Sequence, residues 1–185
     1  MKLYSYVMIS DTGFAPNPND DFCTLACCKP KIRRVASIGD WVIGTGSKST
    51  VGNNKLIYAM KITEKMDFDS YYNDIRFKNR IDNIYFKNKG EWFQKPNQYH
   101  HEQDIDHDLS GEYVLISDYF YYFGEKAIEI PERFKEVIKI GPGHKSNFSE
   151  DLITDFLVWL KEKYNPGKMS NPYELEVKSK ICGFE

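Results

Sequence analysis

The chain opens on alternation: residues 2–9 (KLYSYVMI) interleave apolar and polar positions of high β-propensity and predict a first strand. From Asp11 to Asp21 the pattern collapses into Gly, Pro and Asn, which predicts a loop. In CTLACCKPKIRRVA, Pro30 opens a short helix, with Ile32 and Val35 facing inward and Lys31, Arg33 and Arg34 outward. Ile38-Gly39-Asp40 predicts a turn into a buried strand, Trp41 to Gly44. The polar run 47–54 predicts a hairpin loop, and LIYAMKIT (56–63) reads as the clearest strand. Asp67 can cap a short helix to Ile75, because Phe68, Tyr71, Tyr72 and Ile75 recur at helical spacing.

Residues 76–111 lose both periods. They are charged, with apolar islands only at Ile84-Tyr85-Phe86 and Trp92-Phe93, and predict an irregular insertion holding one or two short strands. Strand character returns at 113–117 and 119–124, where alternation puts Tyr119, Tyr121 and Phe123 on one face and Phe120 and Tyr122 on the other. A further strand is predicted within 126–130 and a helical turn from Pro131 to Val137. Ser149 caps a helix from Glu150 to Tyr164, with an apolar stripe of Leu152, Ile153, Phe156, Leu157 and Leu160. The polar tail, 165–185, is expected on the surface.

Composition narrows the class. A chain of 185 residues suits one domain, 1–185, with a core that needs no metal or disulfide. Aromatics reach 15%, which suits strands and base-stacking pockets. A net charge of −2 argues against binding long duplex DNA through its backbone and favours a small ligand, a single extruded base or a protein partner. The opening segment is short, alternating and followed at once by Asp11, so it predicts a strand rather than a leader or membrane span. A cytoplasmic chain with reduced thiols is the expectation. Cys23, Cys27 and Cys28 lack the two-residue knuckle of common zinc sites, so no metal is expected, and no motif calls for a cofactor.

Four constellations carry candidate chemistry. In the first, Ser10, Asp11, Thr12, Gly13 and Phe14 follow a strand end, where binding loops lie. Phe14 would stack on a planar ring, Asp11 would hydrogen-bond it, and Lys29 and Arg33 would meet a phosphate. Cys23 is the candidate nucleophile and Asp11 the candidate base should the site be catalytic. The second, Gly44-Thr45-Gly46, matches no phosphate-loop motif and reads as a bend or a close approach of ligand to backbone. The third is Asp118-Tyr119 at the start of the aromatic strand, with Asp118 a base acceptor or, more simply, a turn cap. The fourth is His100, His101, Asp104, Asp106, His107 and Asp108, a metal or nuclease candidate that reads more simply as a solvated loop. No nucleophile–His–acid order emerges elsewhere.

The segment from Ile38 to Asp74, through Gly39, Asp40, Leu56 to Thr63, Glu64 and Asp67 to Tyr72, resembles the PUA-like families, especially EVE and ASCH domains. The run SDTGFAPNP with CTLACCKP, IRR and GDWVIGTG resembles more specifically the nucleotide modification associated domain family, second type, over nearly the whole chain. The resemblances imply an α+β fold: a small, mixed, mostly antiparallel PUA/EVE-like β-barrel with flanking helices and a C-terminal helix. They imply a phage or bacterial module tied to DNA base hypermodification, which binds a modified base, nucleotide or nucleic acid and meets other modification-system proteins, without a membrane. The competing expectation is an enzyme acting on a modified nucleotide or base through the Asp11/Cys23 region.

Overall fold

The computed structural model describes residues 1–19 and 21–174; the end of the tail, 175–185, lies outside them. Among the described residues the fold is α+β, with two stacked sheets, a separate hairpin and the helices α1 to α4. In the first sheet β1 (Leu3–Val7) pairs in parallel with β4 (Trp41–Thr45), which runs antiparallel to β5 (Lys55–Lys61). β10 (Tyr119–Tyr122) follows, with β13 (Gly167–Lys168) beside it, β11 (Ile128–Glu129) on β5 and β12 (His144–Lys145) on β1. The second sheet has the order β2 (Asn17–Asn19), β3 (Phe22–Leu25), β9 (Tyr113–Ser117), β6 (Glu64–Asp67).

Two bent connections join the sheets. β5 runs into β6 and β9 into β10 within a few residues, and the Thr63 amide donating to the Ile116 carbonyl carries the pairing through the corner. The expected barrel does not close among the described residues. Its free edge, β2, contains Pro18, which has no amide to donate, and Arg80 takes the carbonyls of Asn17 and Asn19. A further strand has nothing to pair with there.

Burial follows the layers. Helix α4 (Glu150–Lys163), capped by Ser149 as expected, covers the outer face of the first sheet with Ile153, Phe156, Leu157 and Leu160 against Leu3, Trp41, Ile43 and Tyr121. The opposite face of that sheet (Tyr4, Tyr6, Val42, Tyr58, Tyr122) meets Cys23, Leu25 and Leu115 from the second. This is why Tyr121 and Phe123 fall in one cluster and Phe120 and Tyr122 in another: both faces of β10 are covered. A third cluster lies beyond the second sheet, where α2 (Phe68–Asn73) and the hairpin β7 (Tyr85–Asn88)–β8 (Glu91–Gln94) close over Val114 and Ile116.

Helix α1 (Pro30–Val35) starts at Pro30 but is rotated from the expected orientation. Arg33 is buried and Val35 is exposed. The reason is polar. The Arg33 guanidinium donates to the carbonyls of Cys28 (2.7 Å), Tyr113 (2.8 Å) and Asp108 (2.5 Å). Gly111 makes room: a Cβ there would sit 2.5 Å from the guanidinium carbon. The described start of the tail is also held down. Asn171 accepts from the Glu125 amide, the Tyr173 amide donates to Asp11, and Pro172 covers Gly13.

Candidate functional site

Where the end of β1 passes the start of α1, a cavity of about 300 Å³ opens. Its walls include Tyr6, Met8, Ser10, Thr12, Phe14, Cys28, Lys29, Tyr99 and His100. The size is at the lower end for small-molecule sites and fits a base or nucleoside rather than a dinucleotide. Glycine at 44 lets the wall form, because a Cβ there would lie 2.4 Å from both Met8 Sδ and Tyr58 Cε1. The β4–β5 register shifts between Gly44 and Thr45, so the strand bends as the glycines suggest.

Of the residues singled out from sequence, Ser10, Thr12, Phe14 and Lys29 line this cavity. Phe14 is a wall with both faces engaged nearby: its ring stacks on Tyr99 (4.8 Å between centroids) and tilts against His100 (5.0 Å). Lys29 Nζ lies over the Tyr6 ring at 4.6 Å. Asp11 lies behind the lining, where it accepts from Tyr122 Oη (2.5 Å) and the Tyr173 amide (3.1 Å). Burial raises the Asp11 pKa, against the lowering effect of those hydrogen bonds. Gly13, at φ +74, turns the loop under Pro172.

The other candidates lie elsewhere. Arg33 is held by internal carbonyls and the Asp108 carboxylate and does not line the cavity, whereas Lys29 does. Cys23 is fully buried in β3, and burial pushes its thiol far up, which makes it a poor nucleophile. Thr45 donates to the Tyr6 carbonyl and Gly46 packs on the Gly52 carbonyl, so both serve the hairpin. Asp118 is an exposed turn residue whose amide donates to Thr63, and Tyr119 packs on Trp41 in the first core.

The cavity floor holds an arrangement the sequence does not put side by side. Cys28 Sγ lies 3.4 Å from His100 Nε2, and His100 Nδ1 lies 2.8 Å from Asp108 Oδ2. Asp108 is fully buried. Its Oδ1 accepts from the Cys28 amide (2.6 Å), its Oδ2 also accepts from Tyr85 Oη (2.7 Å), and Arg33 is its counter-ion at 3.6 Å. One carboxylate therefore fixes both the Cys28 backbone and the imidazole, although Cys28 and His100 are 72 residues apart. Cys28 and Lys29 both adopt left-handed backbone conformations (φ 60 and 45) just before α1. Such strain in non-glycine residues concentrates at functional sites.

The electrostatics suit a charged imidazole. Burial alone would lower the His100 pKa, but the hydrogen bonds and charges of Asp108 and Cys28 outweigh it and raise it to about 10. Burial works against the Asp108 carboxylate as well, yet His100, Tyr85 and Arg33 hold it below the usual carboxylate range. That imidazole stands at contact distance from the half-buried Cys28 thiol, both on the cavity wall.

Cys27 Sγ, His100 and Asp108 also offer ligand atoms within 4.8 Å of one another. That set is already engaged: both Asp108 oxygens accept hydrogen bonds, and the Cys27 thiol lies against the Asp82 carbonyl at 3.8 Å. A metal would have to break the His100–Asp108 bond, so the donors fit a hydrogen-bonded relay better than a cation site. Within the expected His/Asp cluster only His100 and Asp108 converge; His101, Asp106 and His107 are exposed. Cys28, His100 and Asp108 do come together, in that chain order, a grouping the sequence does not single out. Its one local signal is a cysteine just ahead of a proline-opened helix.

No helix among the described residues is long and apolar enough to cross a membrane. Comparison with curated proteins and with solved structures gives no match. The family model for nucleotide modification associated domain 2 matches residues 1–179, and the chain belongs to that family.

Proposed function

We propose that this chain is a thiol-dependent enzyme acting on a modified nucleotide or base, with Cys28 as nucleophile, His100 as acid and base, and Asp108 as the group that positions both. The observation that carries this reading is the Cys28–His100–Asp108 relay at the floor of a cavity sized for a base. The thiolate attacks an electrophilic carbon of the substrate and forms an S–C bond. The His100 imidazolium hands its Nε2 proton to the departing atom. Water or an acceptor then cleaves the S–C bond, and His100 takes the incoming proton. Lys29 faces the same cavity and supplies the positive charge for a phosphate or a developing oxyanion. The Cys28 amide is engaged by Asp108 and does not serve as that donor.

A second reading is supported by the aromatic lining of Tyr6, Phe14 and Tyr99: a PUA/EVE-like module that binds a modified base without changing it. The deciding experiment incubates wild type, Cys28→Ser and His100→Asn with modified and unmodified nucleotides and oligonucleotides. Products and intact-protein masses are then followed by mass spectrometry. The enzyme reading expects a product from wild type alone, with a transient mass adduct on Cys28 in wild type and none in either variant. Equal binding by all three proteins with neither product nor adduct would leave the binding module.

A further inference from the structure

The β7–β8 hairpin has one face in the core and one outside. Tyr85 is buried and Trp92 packs edge-on against Phe68, which accounts for the inner face. The outer face of such a hairpin is ordinarily polar. Here it carries Phe86 directly opposite Phe93, their rings near-parallel (27°) at 5.8 Å. Tyr72 from α2 extends the row, stacked on Phe86 at 5.3 Å and 26°. Phe93, at the open end, is 42% exposed.

Cations flank this row. Lys89 stands at the hairpin turn, beside Glu91, and Lys78 and Lys95 lie at its base, while Lys87, opposite Trp92, sits on the inner side with its Nζ over the Trp92 ring at 4.7 Å. None of the four lysines has a carboxylate within 4.0 Å among the described residues. Lys95 Nζ sits over the Tyr72 ring at 4.4 Å, and its pKa is lowered by burial and then by the charge of Lys78. Like charges held together over stacked rings, in a chain of net charge −2, mark a place for a local polyanion. The surface also leads to the cavity. Gln94, at the end of β8, donates to the His100 carbonyl (2.8 Å), and an open groove of about 600 Å³ runs past Gln94, Lys95, Pro96, Asn97 and His100.

We propose that the Tyr72–Phe86–Phe93 row and its lysines form a platform for a single-stranded polynucleotide, which presents one nucleotide at a time to the Cys28 cavity. Bases stack on the rings and phosphates meet the lysines, the combination that binds single strands with little sequence preference. Delivery to Cys28 rests on the proposed enzymatic reading; the platform itself does not. The experiment therefore measures binding in a Cys28→Ala background, so that failure of the chemistry and failure of the platform are distinguishable.

Fluorescence anisotropy is read with a labelled oligo-dT of about 20 nucleotides, an oligo-rU of the same length, a matching duplex and dTMP as competitor. The platform expects single strands to bind better than duplex or dTMP, with either sugar supporting it. Phe93→Ala and Phe93→Leu should weaken binding by about tenfold. Leucine keeps apolar area in the cross-strand pair and guards against unfolding. Lys78→Glu should flatten the salt dependence at unchanged Tm. Unchanged affinity in the Phe93 variants and Lys78→Glu would overturn the proposal. So would equal binding of duplex and single strand, or no oligonucleotide binding at all, which would leave the aromatic face to a protein partner.

Discussion

Replacing Asp108 by Asn removes the group on which the site converges. In the wild-type protein His100 titrates at about 10 against an ordinary 6.5. At 1.36 kcal/mol for each tenfold change in proton affinity, that lift gives a ceiling of about 5 kcal/mol of differential stabilisation of the imidazolium. It is a ceiling because Cys28 contributes to the same lift. The sign follows from the direction. A raised folded pKa contributes fully below about 6.5, and the contribution is lost as pH rises through about 10.

Asp108→Asn removes the largest raising cause and leaves burial, which lowers the value, opposed only by Cys28, so the His100 midpoint should fall well below about 10. The variant also leaves the Arg33 guanidinium, 0% exposed, without its counter-charge, at a cost of about 3–5 kcal/mol. Imidazole Cε1–Hε1 shifts followed by NMR across pH give the first number, and urea unfolding at neutral and alkaline pH gives the second. Wild-type unfolding free energy should decline more steeply between about pH 6.5 and 10 than that of the variant. A His100 midpoint that stays near 10 in Asp108→Asn would refute the assignment of Asp108.

Gly111→Ala should force the Arg33 side chain off its carbonyls, since the new Cβ meets the guanidinium carbon at 2.5 Å. The expected loss is about 3 kcal/mol in urea unfolding, with an alkylation defect at Cys28. Gly44→Ala places a methyl 2.4 Å from Met8 Sδ and Tyr58 Cε1, so it should cost about 1–3 kcal/mol in thermal unfolding and weaken ligand binding in the cavity. Gly13→Ala combines a φ of +74 with a 2.6 Å approach to Pro172, and limited proteolysis should release the segment before Glu174 faster than in wild type.

Much of the fold was legible because its strands and helices keep their periods. The cap at Asp67, which accepts from the Ser70 amide, and the cap at Ser149 follow from short-range chemistry, as does the alternation along β10; that both its faces are covered needed the second sheet. The barrel closure was not. It depended on whether β2 offers a pairable edge, and Arg80, more than sixty residues away, decides that. The rotation of α1 was hidden for the same reason, since Arg33 is drawn inward by carbonyls from Tyr113 and Asp108.

For the site, the loop after β1 was readable from its place at a strand end, and Ser10, Thr12 and Phe14 do line the cavity. The chemistry was not. Cys23 and Cys28 look alike in sequence, and only the three-dimensional structure buries one and sets the other beside His100. Residues 76–111 looked irregular because their order comes from contacts outside the segment: Asn17 to Asp82, Arg33 to Asp108 and Phe14 to Tyr99.

The central claim is that His100 activates Cys28 at the cavity floor, and iodoacetamide labelling with peptide mapping tests it most directly. The account predicts that Cys28 is carbamidomethylated at least about tenfold faster than the buried Cys23 and Cys27, and that His100→Asn slows Cys28 by a similar factor without unfolding the chain. A Cys28 rate that is unchanged in His100→Asn, or no faster than that of Cys23 and Cys27, would contradict it.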